Sequence, residues 1–345
     1  PDFRRPWVRF RCSCKIYLRL LLCEIKHRQR CCRSGLHSND GTADHLALPL
    51  LRTPEGEMRP PVAPFSWERV ALYFCLSTFL VFFLSPLYVM LMTSFKSLDE
   101  IRESNMLLPP QAWFFGGWAK AWDHACVGLS CNGVKPHFMA TFAITIPGLI
   151  LAVLVGALNG YALTQWKFRG SDLLLGGLLM GCFMPFQLYL IPIAITLREL
   201  GIFGTSFGLI LLHTVYGVPL ATLLFRNYFV TLPPELIKAA VIDGAGFFRI
   251  FFYIILPMST SIIMVAVILI FTGIYNDFIF ALTFGEVGKQ PVMAALNNIV
   301  NSTYGVKEHN VNMAATLLTA LPTLFIYLVA GKFFIRGLTS GAVKG

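Results

Sequence analysis

From residue 70 onward the chain alternates long, uncharged apolar runs with short polar joints. Six runs are long enough to cross a bilayer, which needs about 20 apolar residues in a helix. They cover residues 70–93, 138–164, 173–197, 203–225, 255–276 and 312–331, and none contains Asp, Glu, Lys or Arg. Because backbone groups in lipid must bond within their own segment, this pattern predicts an all-α integral membrane protein with six transmembrane helices.

Composition supports a membrane protein and narrows its partners. Hydrophobic residues make up 56% of the chain and charged residues only 13%, whereas about 25% is usual for soluble domains. The mean hydropathy is +0.65. The formal net charge of +10 favours basic cytoplasmic loops in contact with anionic lipid. No basic, aromatic surface domain is visible, so no nucleic-acid partner is expected.

Residues 1–57 differ from the rest of the chain. They hold eleven Lys or Arg, six Asp or Glu and five of the nine cysteines. The spacing of these cysteines matches no zinc-binding pattern, and the segment shows no cleavable signal peptide. We interpret residues 1–57 as a basic, Cys-rich extension, either disordered or not native, with the working protein beginning at Met58. Residues 58–345 would then form one transmembrane domain.

Charge in the joints predicts the orientation of the predicted helices. Joints on one side are basic, with Lys167 and Arg169 in the first and Arg226, Lys238 and Arg249 in the second. Joints on the other side, over residues 94–137 and 285–311, balance their basic residues with acids. Positive charge gathers on the cytoplasmic side of membrane proteins. Both termini and residues 233–257 are therefore expected in the cytoplasm.

The cytoplasmic stretch 233–257 has the pattern of a short helix, a turn and a second helix. Pro233 and Pro234 suit a helix start, where Glu235 would complement the helix dipole. Helical spacing places Glu235, Ala239 and Asp243 on one face, with Ala240 beside them. Gly244 suits the left-handed end of the helix. Small outward residues would let a partner protein dock closely, although an ordinary Asp-Gly turn would give the same pattern.

These residues resemble a known family. The sequence "KAAVIDGAGFFRIFFYIILP" at 238–257 is similar to the cytoplasmic "EAA" loop of permease subunits of ATP-binding-cassette (ABC) importers. The matching residues are Ala239, Ala240, Asp243, Gly244, Ala245, Leu256 and Pro257. Lys238 stands where the family has Glu, so any salt bridge made by that Glu is in question here. The six-run layout and the tail "FFIRGLTSGAVKG" resemble the maltose-type group, and residues 295–315 resemble permeases of glucose or mannose importers.

The resemblance implies a type I ABC importer permease fold and a mechanism. This chain and a second permease would form the pathway in the inner membrane of a bacterium, above two ATPase subunits. A periplasmic or lipid-anchored sugar-binding protein would deliver a monosaccharide. Residues Glu235 to Pro257 would transmit ATP-driven motion. The sequence contains no Walker A motif, so this chain is expected to be non-catalytic, with no cofactor of its own and no metal.

Other polar residues have two interpretations each. "YNDFIF" at 275–280 resembles a fifth-span element of the family, and Asn276 and Asp277 could line the sugar pathway or cap a helix end. His213 lies well inside a predicted span, where a hydrogen-bonded core histidine is the more common case. Cys126 and Cys131 could form a disulfide in an oxidising compartment or stay as free thiols.

Two other classes of protein remain as alternatives. An ion-coupled secondary transporter usually carries charged residues or broken helices at mid-membrane. Here the predicted spans lack acids and bases, and only His213 favours that alternative. A membrane enzyme would need a cluster of His, Asp or Glu, whereas the seven histidines are scattered along the chain.

Overall fold

The computed structural model describes residues 67–128, 130–165, 169–286, 288–301 and 307–342. All regular structure in these ranges is helical, apart from one isolated bridge between Val127 and Ser130. The predicted extension over residues 1–57 lies outside the described residues, and so do Lys167 and the last three residues of the tail.

Fourteen α-helices follow one another in the described part of the chain. They are α1 (Trp67–Ser94), α2 (Leu98–Glu103), α3 (Gly116–Asp123), α4 (Lys135–Gln165), α5 (Ser171–Phe183), α6 (Leu190–Glu199), α7 (Ser206–Phe229), α8 (Pro234–Ile242), α9 (Phe247–Ile250), α10 (Leu256–Met258), α11 (Thr260–Tyr275), α12 (Ile279–Phe284), α13 (Val292–Val300) and α14 (His309–Ala342). A 3₁₀ turn, Phe186–Tyr189, precedes α6, and a π-helical turn, Phe251–Ile255, joins α9 to α10.

Four of the six predicted spans are single long helices, namely α1, α4, α7 and α14. The other two are broken. The run 173–197 forms two helical segments bent by 98° where Pro185 interrupts the backbone hydrogen bonding, since proline has no N–H to donate. The run 255–276 is bent by 82° at Ser259, so its first residues continue the helical segment that starts at Phe247. The predicted number of six transmembrane spans holds only if each bent pair of helices crosses the membrane as one span.

Helices α4 and α7 pack closely through a stripe of small residues. Gly148, Ala152, Gly156 and Gly160 recur at every fourth position of α4 and so share one face. A Cβ on Gly156 would overlap Ala221 of α7. Small residues at this spacing let membrane helices approach backbone to backbone, where van der Waals packing holds them together. This pair forms the centre of the described domain, and α11 packs against both helices.

Candidate functional site

The stretch 233–257 folds as the helix, turn and helix that the sequence predicts. Pro234 opens α8, and Glu235 lies in its first turn. Gly244 has φ +78°, and its N–H donates to Val241 O at 3.0 Å. The Ala245 N–H donates to Ala240 O at 2.9 Å. This pair of bonds is the Schellman motif, which satisfies the last helical carbonyls and turns the chain.

The predicted docking residues divide between two faces of this loop. Glu235, Lys238, Ala239, Asp243 and Gly244 are exposed, and so is Pro257 further along. Ala240 instead faces inward and is buried, because the same helix must also pack on the bundle; Ala245 is half-buried. Of the neighbouring Ala239 and Ala240, only Ala239 is therefore exposed to a partner.

Aromatic side chains fix the loop to the bundle. Phe251 is buried, and its ring stacks on Tyr161 of α4 with 5.5 Å between centroids. Phe247 lies against the same tyrosine at 4.7 Å. The core cluster that holds Tyr161 and Phe251 also contains Ala240 and residues of α7 and α11. The loop is therefore packed against α4, α7 and α11.

Beside its exposed charged residues, the loop also exposes three large apolar side chains. Ile242 is 85% exposed, and Val241 and Phe248 are also exposed. These three side chains, which we call the apolar loop patch, surround Gly244 in sequence. Exposed apolar patches with a polar rim mark interaction surfaces. The patch is a signal that the sequence-based interpretation, which centred on the small residues, missed.

A second feature is a cavity of about 370 Å³ between α5, α7 and α11. Its wall is mostly apolar, and its polar groups include His213, Tyr216 and Asp277. His213 is only 7% exposed, and its Nε2 lies 3.8 Å from Asp277 Oδ2. Pockets of this size with few converging polar groups are typical of small-molecule sites. His213 lies on α7 and Asp277 in the turn between α11 and α12, and nothing in the sequence pattern indicates that they would meet.

Asp277 also caps a helix. Its Oδ2 accepts the N–H of Ala281 at 2.9 Å, and its Oδ1 accepts the N–H of Phe280 at 3.3 Å, at the start of α12. The helix-end cap considered from the sequence is therefore present, alongside a place in the cavity wall. Asn276 faces elsewhere, because it lines a separate cavity together with residues of α13. Asn276 and Asp277 therefore line different cavities.

The loop before α4 contains a disulfide between Cys126 and Cys131. Backbone hydrogen bonds between Val127 and Ser130 close the turn inside it.

Near the start of α7, Glu286 accepts hydrogen bonds from Lys289 Nζ at 2.8 Å and Ser206 Oγ at 3.2 Å. The hydrogen bond from Lys289 lowers the pKa of Glu286. Within the described residues, no group of three His, Cys, Asp or Glu could hold a metal ion.

An all-helical domain with several helices long and apolar enough to span a membrane has the architecture of a multi-pass membrane protein. The model of the family "binding-protein-dependent transport system inner membrane component" matches residues 148–339, more than half of the chain. The chain belongs to this family, whose members are permeases of ABC importers that work with ATPase and substrate-binding proteins. Membership leaves the alternative of an ion-coupled secondary transporter without support.

Individual relatives agree with this assignment. The chain is 45% identical to a probable ABC transporter permease of Pyrococcus horikoshii over 179 residues, which are 51% of this chain and 64% of that protein. It is 31% identical to the xylose/arabinose import permease XacI of Haloferax volcanii, over 80% of this chain and 93% of that protein.

A solved structure shares the fold. The chain superposes with a TM-score of 0.69 on a chain of a bacterial ABC transporter involved in the import of the polysaccharide alginate. The two are 17% identical, over 79% of this chain and 100% of that one. This likeness shows the fold, and the family match makes the chain a multi-pass permease component of an ABC importer.

Proposed function

We propose that this permease passes a monosaccharide, glucose or mannose, across the inner membrane of a bacterium. The loop 233–257 supports the permease part of the proposal, because it exposes the apolar loop patch and is tied to the bundle through Tyr161. A relative named for xylose and arabinose import supports a small sugar as cargo. The similarity of residues 295–315 to glucose/mannose permeases narrows the choice to hexoses.

In this proposal the chain pairs with a second permease above two ATPase subunits. The ATPases bind and hydrolyse ATP, while this chain is non-catalytic. Glu235, Lys238, Ala239, Asp243 and Gly244 would meet the ATPase groove, because their side chains or backbone are exposed there. Ala240, Ala245 and Pro257 would act by holding the loop in shape. Exposed Lys238 favours an acidic residue on the facing ATPase surface.

Competition for uptake tests the cargo. Cells that carry residues 58–345 are expected to take up labelled glucose, and deletion of that region is expected to abolish the uptake. Excess unlabelled glucose or mannose should block it, whereas maltose and glycerol phosphate should not. If the uptake that is lost on deletion is blocked only by maltose, the proposed cargo changes from a monosaccharide to a disaccharide. Uptake of every sugar unchanged by the deletion would remove the substrate assignment.

Asp277 is proposed to contact the sugar across the larger cavity. We expect Asp277→Asn to lower uptake at least tenfold, because a hydrogen bond to a charged group contributes about 1.5–3 kcal/mol. Asn keeps a side-chain oxygen for the Ala281 N–H, so thermal stability should stay close to wild type. Asp277→Ala loses both capping bonds and should also be destabilised by about 1 kcal/mol. Wild-type uptake by Asp277→Asn would leave Asp277 as a helix cap alone.

Both termini are proposed to be cytoplasmic, and the disulfide supports that orientation. Disulfides persist in oxidising compartments, which would place Cys126 and Cys131 on the outer side. We expect a membrane-impermeant maleimide, added to intact cells, to label both cysteines only after reduction. In a Gly246→Cys variant, the new thiol on the exposed loop should react only after the membrane is permeabilised. Labelling of Gly246→Cys in intact cells would invert the topology.

A further inference from the structure

A second, much smaller cavity also borders His213 and Asp277, and we call it the small cavity. It has a volume of about 10 Å³, and His213, Ile274 and Asp277 line both this cavity and the larger one. The remaining wall of the small cavity comes from Thr141, Ile144 and Thr145 of α4 and from Ala281 and Pro291. His213 and Asp277 therefore border both cavities.

Three polar atoms around the small cavity have unused hydrogen-bonding capacity. Thr145 is 1% exposed, and its Oγ1 has no hydrogen-bond partner among the described residues. His213 Nε2 and Asp277 Oδ2 are 3.8 Å apart, too far for a direct hydrogen bond. A buried hydroxyl without a partner costs about 1–3 kcal/mol, so native structures rarely leave one.

The hydroxyl of Thr141 is already occupied. It donates to His137 O at 2.8 Å and accepts the N–H of Val292 at 2.7 Å. The groups with remaining capacity are therefore Thr145 Oγ1, His213 Nε2 and the second lone pair of Asp277 Oδ2, whose first accepts a backbone N–H. They come from α4, α7 and the turn between α11 and α12. They line one cavity although they are far apart in sequence.

We propose that the small cavity binds a single water molecule, bridging Thr145, His213 and Asp277. The cavity volume equals about one water-sized probe, and a buried water needs two to four polar partners. An oxygen about 2.8 Å from both His213 Nε2 and Asp277 Oδ2 fits beside the 3.8 Å gap between them. The water accepts or donates at His213 according to its tautomer and donates to the carboxylate.

A metal cation suits this cavity less well than water. Hard cations take six or more oxygen ligands, or keep several waters of their own. Here the unused groups comprise one carboxylate oxygen, one hydroxyl and one imidazole nitrogen, in a space for one water. This set of ligands is too small for a hard cation and includes a nitrogen, so a water molecule suits the cavity better than a cation does.

The bridging water makes Thr145 a positioning residue. It never reaches the larger cavity, since it does not line that wall. Through the water it fixes the His213 ring and the Asp277 carboxylate, both of which face the larger cavity. The position of the polar pair therefore depends on a hydroxyl of α4, and movement of α4 against α11 alters it. The water itself does not depend on which solute is transported.

Radiolytic hydroxyl-radical footprinting of the assembled transporter tests the water directly, because bound water generates radicals beside its neighbours. Of the two cavities, Ile144 and Pro291 line only the small one, and we expect both to be oxidised at least threefold faster than fully buried Ile268. Thr145→Val should lower both rates to that of Ile268. Thr145→Ser, which keeps the hydroxyl, should restore them.

Thr222→Val is the matched control, because Thr222 is also fully buried with an unpaired hydroxyl but lines neither cavity. It should leave the oxidation of Ile144 and Pro291 unchanged. Oxidation of these residues in the wild type no faster than that of Ile268 would overturn the proposal without any variant. A rate that changes when choline replaces sodium and potassium would show a cation in the cavity and also overturn it.

Discussion

Gly156→Ala is expected to destabilise the permease by about 3 kcal/mol, the upper end of the range for overpacking a dense interface. The added Cβ would overlap Ala221 Cβ and lie 3.0 Å from the Ala221 carbonyl carbon and the Thr222 nitrogen. Two of these three atoms are backbone, so the helices must separate for the methyl group to fit. The thermal midpoint of the purified protein should fall by roughly 10 °C.

Two further variants make this expectation specific to the interface. Gly176→Ala changes an exposed glycine of α5 whose new Cβ meets nothing within 4 Å, and it should leave the midpoint unchanged or slightly raised. Adding Ala221→Gly to Gly156→Ala removes the nearest clash and should recover part of the loss. Equal stability of Gly156→Ala and Gly176→Ala would show that the α4–α7 contact is looser than the structure has it.

Gly244→Asp is expected to reduce uptake more than tenfold while the protein still enters the membrane. A Cβ at Gly244 meets no atom of this chain within 4 Å. The intrinsic cost is therefore the left-handed backbone, about 1 kcal/mol for a residue other than glycine. Any larger loss must come from a partner surface that the new carboxylate obstructs. Uptake, ATPase stimulation and co-purification with the ATPase would together locate the defect.

Gly201→Asp is the control for backbone strain. Gly201 has φ +69°, is exposed and would also meet nothing within 4 Å, but it lies at the joint after α6 on the opposite side in the proposed topology. It should transport almost normally. Gly244→Asn separates charge from size and tolerates the left-handed backbone better than most residues. Normal uptake by Gly244→Asp would contradict docking at this loop.

Local structure in the loop 233–257 was predictable because its signals act over a few residues. Proline at the start of a helix, an acid in the first turn and glycine in the left-handed position each follow from the backbone of one residue. The direction in which Ala240 points was not predictable in the same way. It depends on the side of α8 that packs on Tyr161 and Phe251, and those rings come from other segments.

The small-residue stripe of α4 is visible in the sequence itself. Gly148, Ala152, Gly156 and Gly160 repeat at every fourth position, which is a recognised signal for close packing of membrane helices. The stripe does not indicate which helix packs against it. Ala221 and Thr222 of α7 were identified only by the structure, because any helix with a complementary surface would satisfy the same pattern.

By itself, the sequence determined that this chain is a helical membrane protein, where its apolar runs lie, and how the loop 233–257 folds. Those properties depend on transfer of side chains into lipid and on backbone preferences, which are local. The tertiary structure alone decided that two runs bend sharply and that Asp277 faces His213 while Asn276 does not. It also brought Thr145 to that pair, because contacts between distant helices arise only when all of their faces pack at once.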